Sequence, residues 1–202
     1  METSFYTEEE LVKLGFDNLG VDVKISRKAS FYGYEDIKIG SHVRIDDFCV
    51  LSGKIEIKNY VHIASSTLLY GGESGIYICD YCNISSRVAI YAISDDYSGE
   101  SMTNPLIPSK YKKVVNRKVV LRKNVIIGSG STILPGCDLS EGTAVGSMSL
   151  INHNTTEWSI YAGVPARVLR PRARELMKLE KNLSRKEIML VHKCGHEKLN
   201  NP

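Results

Sequence analysis

Between Leu121 and Ile151 a large aliphatic residue returns at every sixth position: Leu121, Ile127, Ile133, Leu139, Val145 and Ile151. An α-helix repeats every 3.6 residues and a strand every two, so neither accounts for a period of six over this length. A fixed period with small residues between is the signature of a repeat architecture, and it governs the fold of everything it covers. The period extends upstream. Ile25 and Phe31 are six apart; after a two-residue insertion Ile39, Ile45, Leu51, Ile57, Ile63 and Leu69 follow. A loop around Gly71 and Gly72 adds three residues, and Ile78, Ile84 and Ile90 resume the count. A long segment, about 92–118, does not repeat.

Each hexad reads as one short strand plus a turn, and three hexads make one triangular coil. The aliphatic at position i points inward, and so does position i+4, which must be smaller to fit a corner. Those i+4 residues are Val43, Cys49, Ile55, Val61, Thr67, Cys82, Val88, Val125, Ser131, Cys137, Thr143 and Ser149. Gly, Asp or Ser often follows the i residue (Gly40, Asp46, Ser52, Gly128, Ser140, Gly146), where the chain is expected to turn tightly. Stacked coils pair their strands in parallel, each burying the apolar face of the next. The expected fold is all-β: a parallel β-helix with three hexads per coil.

The ends differ from this body. Thr7 and Glu10 form a capping-box pattern, which predicts a short helix over roughly 8–14 with Leu11 and Leu14 as its apolar side, covering the open end of the coils. After Gly163-Val164-Pro165-Ala166 the composition shifts. Leu176, Leu179, Leu183 and Met189 fall loosely at helical spacing and predict an amphipathic helix within Arg172 to Leu190, lying on the β-helix or on a neighbouring subunit. The division is therefore a helical cap over 1–20, a β-helix over 21–170 with a protruding loop at 92–118, and a C-terminal helix and tail over 171–202.

Composition excludes some function classes. A net charge of +3 over 202 residues is too small to argue for nucleic acid. No apolar run resembles a signal peptide or approaches the ~20 residues of a membrane span, so the expected location is the cytoplasm. Five cysteines, an odd number, argue against a disulfide framework. Cys79-x-x-Cys82 resembles a metal or redox pair, but the phase turns Cys82 inward and Cys79 outward; Cys49 and Cys137 are corner residues that pack as small hydrophobes. His192-x-Cys194-x-His196 holds ligand-type residues but is read as a frayed terminus, and no metal site is expected.

The run Ile127-Gly128-Ser129-Gly130-Ser131, then Ile133-Leu134-Pro135-Gly136, Gly142-Thr143-Ala144-Val145-Gly146 and Ile160-Tyr161-Ala162-Gly163-Val164-Pro165-Ala166-Arg167 resembles the hexapeptide acyltransferases. Within them it is similar to the galactoside and maltose acetyltransferase group, and nearer to the polysaccharide and O-antigen sugar acetyltransferases. The resemblance covers about 25–170. It implies a left-handed β-helix, a homotrimer, and three active sites between neighbouring subunits, with acetyl-CoA along the groove. Matched onto this chain, the family's CoA contacts fall at Ser129, Ser147, Asn152, His153, Arg167 and Arg170. Small side chains suit the thin pantetheine arm, and arginine forks suit phosphate oxygens. The loop 92–118 matches the family's substrate loop in position, and its polar residues suit a sugar.

Relatives that acetylate hydroxyls carry a histidine at the start of that loop, as the base a poorly acidic alcohol needs. Here the corresponding stretch is Ile93-Ser94-Asp95-Asp96-Tyr97, with Asp95 or Asp96 where the histidine would be. Three accounts are open. The acceptor is an amine, already partly nucleophilic, which a carboxylate binds, orients or deprotonates late. Alternatively His62, facing outward beside the inward Ile63, is the base for a hydroxyl. Or the chain has lost activity. Asp95 and Asp96 also suit a plain loop-turn cap. The first account makes the chain an acetyl-CoA-dependent acetyltransferase acting on the amine of a nucleotide-linked amino-deoxy sugar in bacterial O-antigen or capsule biosynthesis. Other classes fit less well. A γ-class carbonic anhydrase needs three histidines on a metal, and His42, His62 and His153 lack ligand spacing. An antibiotic acetyltransferase keeps the loop histidine. A non-catalytic β-helix scaffold would need neither the long polar loop nor the Ala-Gly-Val-Pro-Ala-Arg segment.

Overall fold

The structure, a computed structural model, describes residues 4–183. Residues 4–172 belong to one compact unit and the chain from 173 onward to a second. In the first unit the coils stack as expected into a parallel β-helix. Along one face, Ile25, Ile45, Ile63, Ile84, Ile127 and Val145 pair in register with Tyr161 at the end. Ile45 to Ile63 and Ile127 to Val145 each advance by three hexads, one turn of the prism. A second face aligns Ile39, Ile57, Ile78, Leu121 and Leu139. The third aligns Phe31, Leu51, Leu69, Ile90, Ile133 and Ile151. We call these the histidine face (it carries His62), the charged face and the apolar face.

The inward positions are closed to solvent. Ile25, Ile45, Ile63, Ile84, Ile127, Leu139 and Ile151 are fully buried, and the twelve i+4 corner residues are buried as well, none more than 3% exposed. Each such aliphatic contributes about 1.5–3 kcal/mol, so the period itself is the stabilising element. Corner hydroxyls do not break it, because they bond the neighbouring carbonyls: Ser131 and Ser149 Oγ donate to Gly146 O at 2.9 and 2.7 Å, and Thr67 Oγ1 to Ser85 O at 3.1 Å.

The turn chemistry differs from the expectation. Position i+1 is not where φ turns positive; i+3 is. His42, Phe48, Tyr60, Ser66, Tyr81, Arg87, Asn124 and Met148 all have φ between 57° and 63°. The glycines at i+1 answer to another constraint, the close approach of successive coils. A Cβ on Gly128 would lie 2.5 Å from Ser147 N, and one on Gly40 would lie 2.8 Å from Lys58 O. A non-glycine residue in the left-handed region costs roughly 1–2 kcal/mol. At one corner this is offset by stacking: His42 on Tyr60 at 4.5 Å and Tyr60 on Tyr81 at 5.0 Å between ring centroids.

Both ends of the prism are covered. Helix α1 (Glu8–Lys13) has the full capping box, with Thr7 Oγ1 accepting from Glu10 N and Glu10 accepting from Thr7 N. Its Leu11 is buried, and Glu10 takes both guanidinium nitrogens of Arg27 at 2.9 and 2.6 Å. At the far end, strand Ser159–Gly163 folds back antiparallel onto Ala166–Pro171. Arg172 pins this hairpin by donating to the carbonyls of Asn124 and Gly142 at 2.8 and 3.0 Å. In the second unit residues 176–183 are helical; the remainder of the expected helix to Leu190, and His192, Cys194 and His196, lie outside the described residues. Cys82 is buried with its thiol pushed up to about 12 by burial, and burial also raises the half-buried Cys79. Both stay protonated, the opposite of a reactive or metal-binding thiolate.

Candidate functional site

The period breaks three times at one corner, where the chain passes from the apolar to the charged face; the first break is the two-residue insertion between Phe31 and Ile39. In one coil strand Leu68–Ile78 carries the insertion around Gly71–Gly75; in the next, the chain leaves after Ala92 and returns at Val119. The excursion is an arm. Its root is a two-residue antiparallel ribbon, Ile93–Ser94 against Val115–Asn116, with Arg117 N donating to Ala92 O at 2.8 Å. Beyond the root it stands in solvent: Tyr97 is 94% and Leu106 89% exposed.

Asp95 and Asp96 sit at the start of this arm with different surroundings. Asp96 accepts from Ser98 N at 2.9 Å and from Ser101 Oγ at 2.8 Å. The Ser98 and Ser101 hydrogen bonds hold its carboxyl at about 2. It is a turn cap. Asp95 is half-buried and accepts through Oδ2 from Asn104 N at 3.2 Å; its other oxygen has no partner among the described residues.

His62 lies elsewhere, on the histidine face. Pairing sets Arg44, His62 and Asn83 side by side in successive coils. The imidazole Nε2 is 2.9 Å from Asp46 Oδ2 and Nδ1 is 3.1 Å from Asn83 Oδ1. Arg44 Nε donates to the other Asp46 oxygen at 2.6 Å. Burial raises the Asp46 pKa, but the His62 and Arg44 hydrogen bonds outweigh it, and the carboxyl ends below its ordinary value. Both ring nitrogens of His62 are therefore engaged, which leaves no lone pair aimed at an acceptor hydroxyl.

The six residues matched to CoA divide between places. Ser129 and Ser147 stack at the corner between the histidine and apolar faces, where Met148 N donates to Ser129 O at 2.9 Å. Ser129 Oγ donates to Ser86 O at 2.7 Å. Asn152 and His153 follow the inward Ile151, at the same corner as the arm; His153 Nδ1 is 2.9 Å from Asn152 Oδ1. Arg170 pairs with Ile160 at the end of the histidine face, and Arg167 with Ala162. Within one chain the apolar face separates the two serines from Asn152, His153 and Asp95. His42, His62 and His153 are likewise apart, His42 being bound to Asp22 at 3.0 Å. Among the described residues no group of three or more His, Cys, Asp or Glu gathers around one point.

Sequence reasoning missed several members. Arg44 and Asn83 beside His62 follow from the period, because residues before successive inward isoleucines must align, and Asp46 directly follows the inward Ile45. Ser85 and Ser86 follow the inward Ile84 and were equally readable. Asn116 was not: its Oδ1 accepts from Ser74 N and its carbonyl from Ser74 Oγ, each at 3.0 Å and across forty-two residues.

No family model matches the chain. Among curated proteins it is 43% identical, over 88% of its length and 93% of theirs, to a dTDP-4-amino-4,6-dideoxy-D-glucose acyltransferase of Escherichia coli. Among solved structures it is similar to AntD, an N-acyltransferase from Bacillus cereus, in complex with dTDP and 3-hydroxybutyryl-CoA: TM-score 0.90, 49% identity, 92% of this chain and 99% of that one. A variant of AntD with a serine replaced, in complex with dTDP-4-amino-4,6-dideoxyglucose and coenzyme A, is equally similar, with 49% identity, a TM-score of 0.90, and coverage of 92% of this chain and all of the other.

Proposed function

The chain belongs to the hexapeptide-repeat acyltransferases of left-handed β-helix fold, and from that premise we propose that it moves an acyl group from acyl-CoA to the 4-amine of a dTDP-linked 4-amino-4,6-dideoxy sugar. The observation that carries this reading is Asp95: a carboxylate with one uncommitted oxygen stands at the root of the arm, where hydroxyl-acetylating relatives are expected to carry a histidine. An amine with an ordinary pKa of about 8 is partly neutral at pH 7, so it needs orientation more than deprotonation. Its nitrogen attacks the thioester carbonyl, the C–S bond breaks, and the one proton the nitrogen loses reaches the departing thiolate by way of Asp95. Asp95 accepts an N–H of the attacking amine and takes up its proton late in the attack.

Two AntD variants lend support. One replaces a serine and the other an aspartate ten residues further along. Ser85 with Asp95, and Ser86 with Asp96, repeat that separation here. The arrangement within one chain also supports a homotrimer. The candidate groups fall on different sides of one prism, and a second copy laid against the apolar face would bring Ser129 and Ser147 of one protomer toward the arm of its partner. The outward column of that face, Val50, Leu68, Ala89, Thr132 and Leu150, is apolar at all but Thr132 and only half-buried. Ser129, Ser147, Asn152 and His153 then line the pantetheine path and Arg167 and Arg170 meet the phosphates. No described helix is long and apolar enough to cross a membrane, and a donor and acceptor of this kind suit a cytoplasmic enzyme of surface-polysaccharide biosynthesis.

The test compares Asp95→Asn with Asp96→Asn in steady-state kinetics on the dTDP-amino sugar. Asp95→Asn is expected to lower kcat by about 10²-fold with little change in the KM for acyl-CoA, and Asp96→Asn to act through arm stability. Equal turnover of Asp95→Asn and wild type, or activity confined to galactosides and abolished by His62→Ala, would contradict the reading.

A further inference from the structure

The insertion around Gly71–Gly75 and the arm form one mechanical unit, and we propose that Asn116, bracketed by Ser74, is the positioning residue that sets Asp95 over the acceptor amine. The inference rests on the role given to Asp95 above. The arm carries Asp95 directly after a ribbon only two residue pairs long. A two-stranded ribbon of that size does not hold its own geometry in water, so the place of Asp95 depends on what grips the ribbon from outside.

The grip comes from the insertion one coil below. Gly72, with φ at +54°, lies against the ribbon so closely that a Cβ there would stand 3.0 Å from Ile93 Cβ and 3.2 Å from Asn116 Oδ1. Ser74 then closes on Asn116 from both sides, its N–H donating to Oδ1 and its hydroxyl to the Asn116 carbonyl, each at 3.0 Å. Asn116 Nδ2 reaches Glu73 Oε2 at 3.5 Å. Asn116 is the cross-ribbon partner of Ile93, two residues before Asp95. The extra residues around Gly71–Gly75, which otherwise only interrupt the hexads, thus serve as a bracket for the arm. Asn116 touches no reacting atom in this account; it acts through Asp95.

Kinetics of Asn116→Leu, Asn116→Asp and Asp95→Asn separate the possibilities. Asn116→Leu removes the acceptor and is expected to raise KM for the amino sugar and lower kcat together at least tenfold, leaving KM for acyl-CoA within twofold. Asn116→Asp keeps an acceptor for Ser74 N–H but faces Glu73, so it is expected to recover when combined with Glu73→Gln. In the double variant Asn116→Leu with Asp95→Asn, the loss should not exceed that of Asp95→Asn alone by more than twofold, because both changes remove the same positioned carboxylate. If Asn116→Leu leaves the amino-sugar parameters unchanged while Asp95→Asn impairs them, the positioning role is wrong and the function stands. If it weakens both substrates equally with a lowered melting temperature and no rescue, its role is structural and the proposal fails. If Asp95→Asn itself has no effect, the underlying reading falls first.

Discussion

Asp95 and Asp96 are neighbours in the chain, yet only one has an oxygen to spare. Asp96 has each oxygen engaged, one by Ser98 N and one by Ser101 Oγ; Asp95 gives one oxygen to Asn104 N and keeps the other. A hydrogen-bond inventory around each residue therefore distinguishes them where residue type alone does not, and it is the ground for proposing Asp95. The same inventory argues against His62 as a free base. With Asp46 on one nitrogen and Asn83 on the other, it braces the histidine face. Replacing it with alanine is expected to cost about 1 kcal/mol of stability and to leave kcat on the amine acceptor within about threefold, measured by thermal unfolding and steady-state turnover. Asp46 yields a pH prediction. Its folded pKa is depressed, so its stabilising contribution is fully present above its unfolded value of about 3.9 and disappears as pH falls through the lower folded value. Asp46→Asn should be less stable than wild type at pH 6, and the gap should shrink on titration towards pH 3. A constant gap would mean that the His62 and Arg44 bonds do not set that pKa.

At the scale of the coil, positions i and i+4 were legible because burial in a triangular section leaves room only for one large and one small apolar group per hexad. The turn was not. The left-handed residue at i+3 is chemically diverse, His42, Tyr60, Arg87 and Met148 among others, because its side chain points out of the corner and only the backbone is constrained. The glycines at i+1 mark backbone proximity instead. A pair of substitutions separates these roles. Gly128→Ala, with normal φ but 2.5 Å from Ser147 N, should destabilise by about 2 kcal/mol. Met148→Gly, at φ +58° and largely exposed, should stay within about 1 kcal/mol of wild type. The arm was legible only as a loop. Its bracket depends on Asn116 meeting Ser74 across forty-two residues, a contact no local pattern announces.

For the repeat unit as a whole, the hexads build a prism, and the proposed chemistry sits beside the arm, where the repeat fails. That is why the fold could be read from periodicity while the site could only be sketched. Ser129, Ser147 and Asp95 belong to different sides of one protomer, and they converge only if copies pack along the apolar face. Replacing Leu68 and Leu150 with lysine should therefore lower the oligomeric mass in solution and abolish turnover together, as read by light scattering and assay; an active monomer would contradict a site shared between copies. The central claim is nitrogen acylation. Incubation of the protein with acyl-CoA and dTDP-4-amino-4,6-dideoxyglucose should release CoA and give a product heavier by one acyl group, stable to alkaline hydroxylamine as an amide is. A product that hydroxylamine cleaves, as it cleaves an ester, or no product from the amino sugar while hydroxyl acceptors react, would contradict the account.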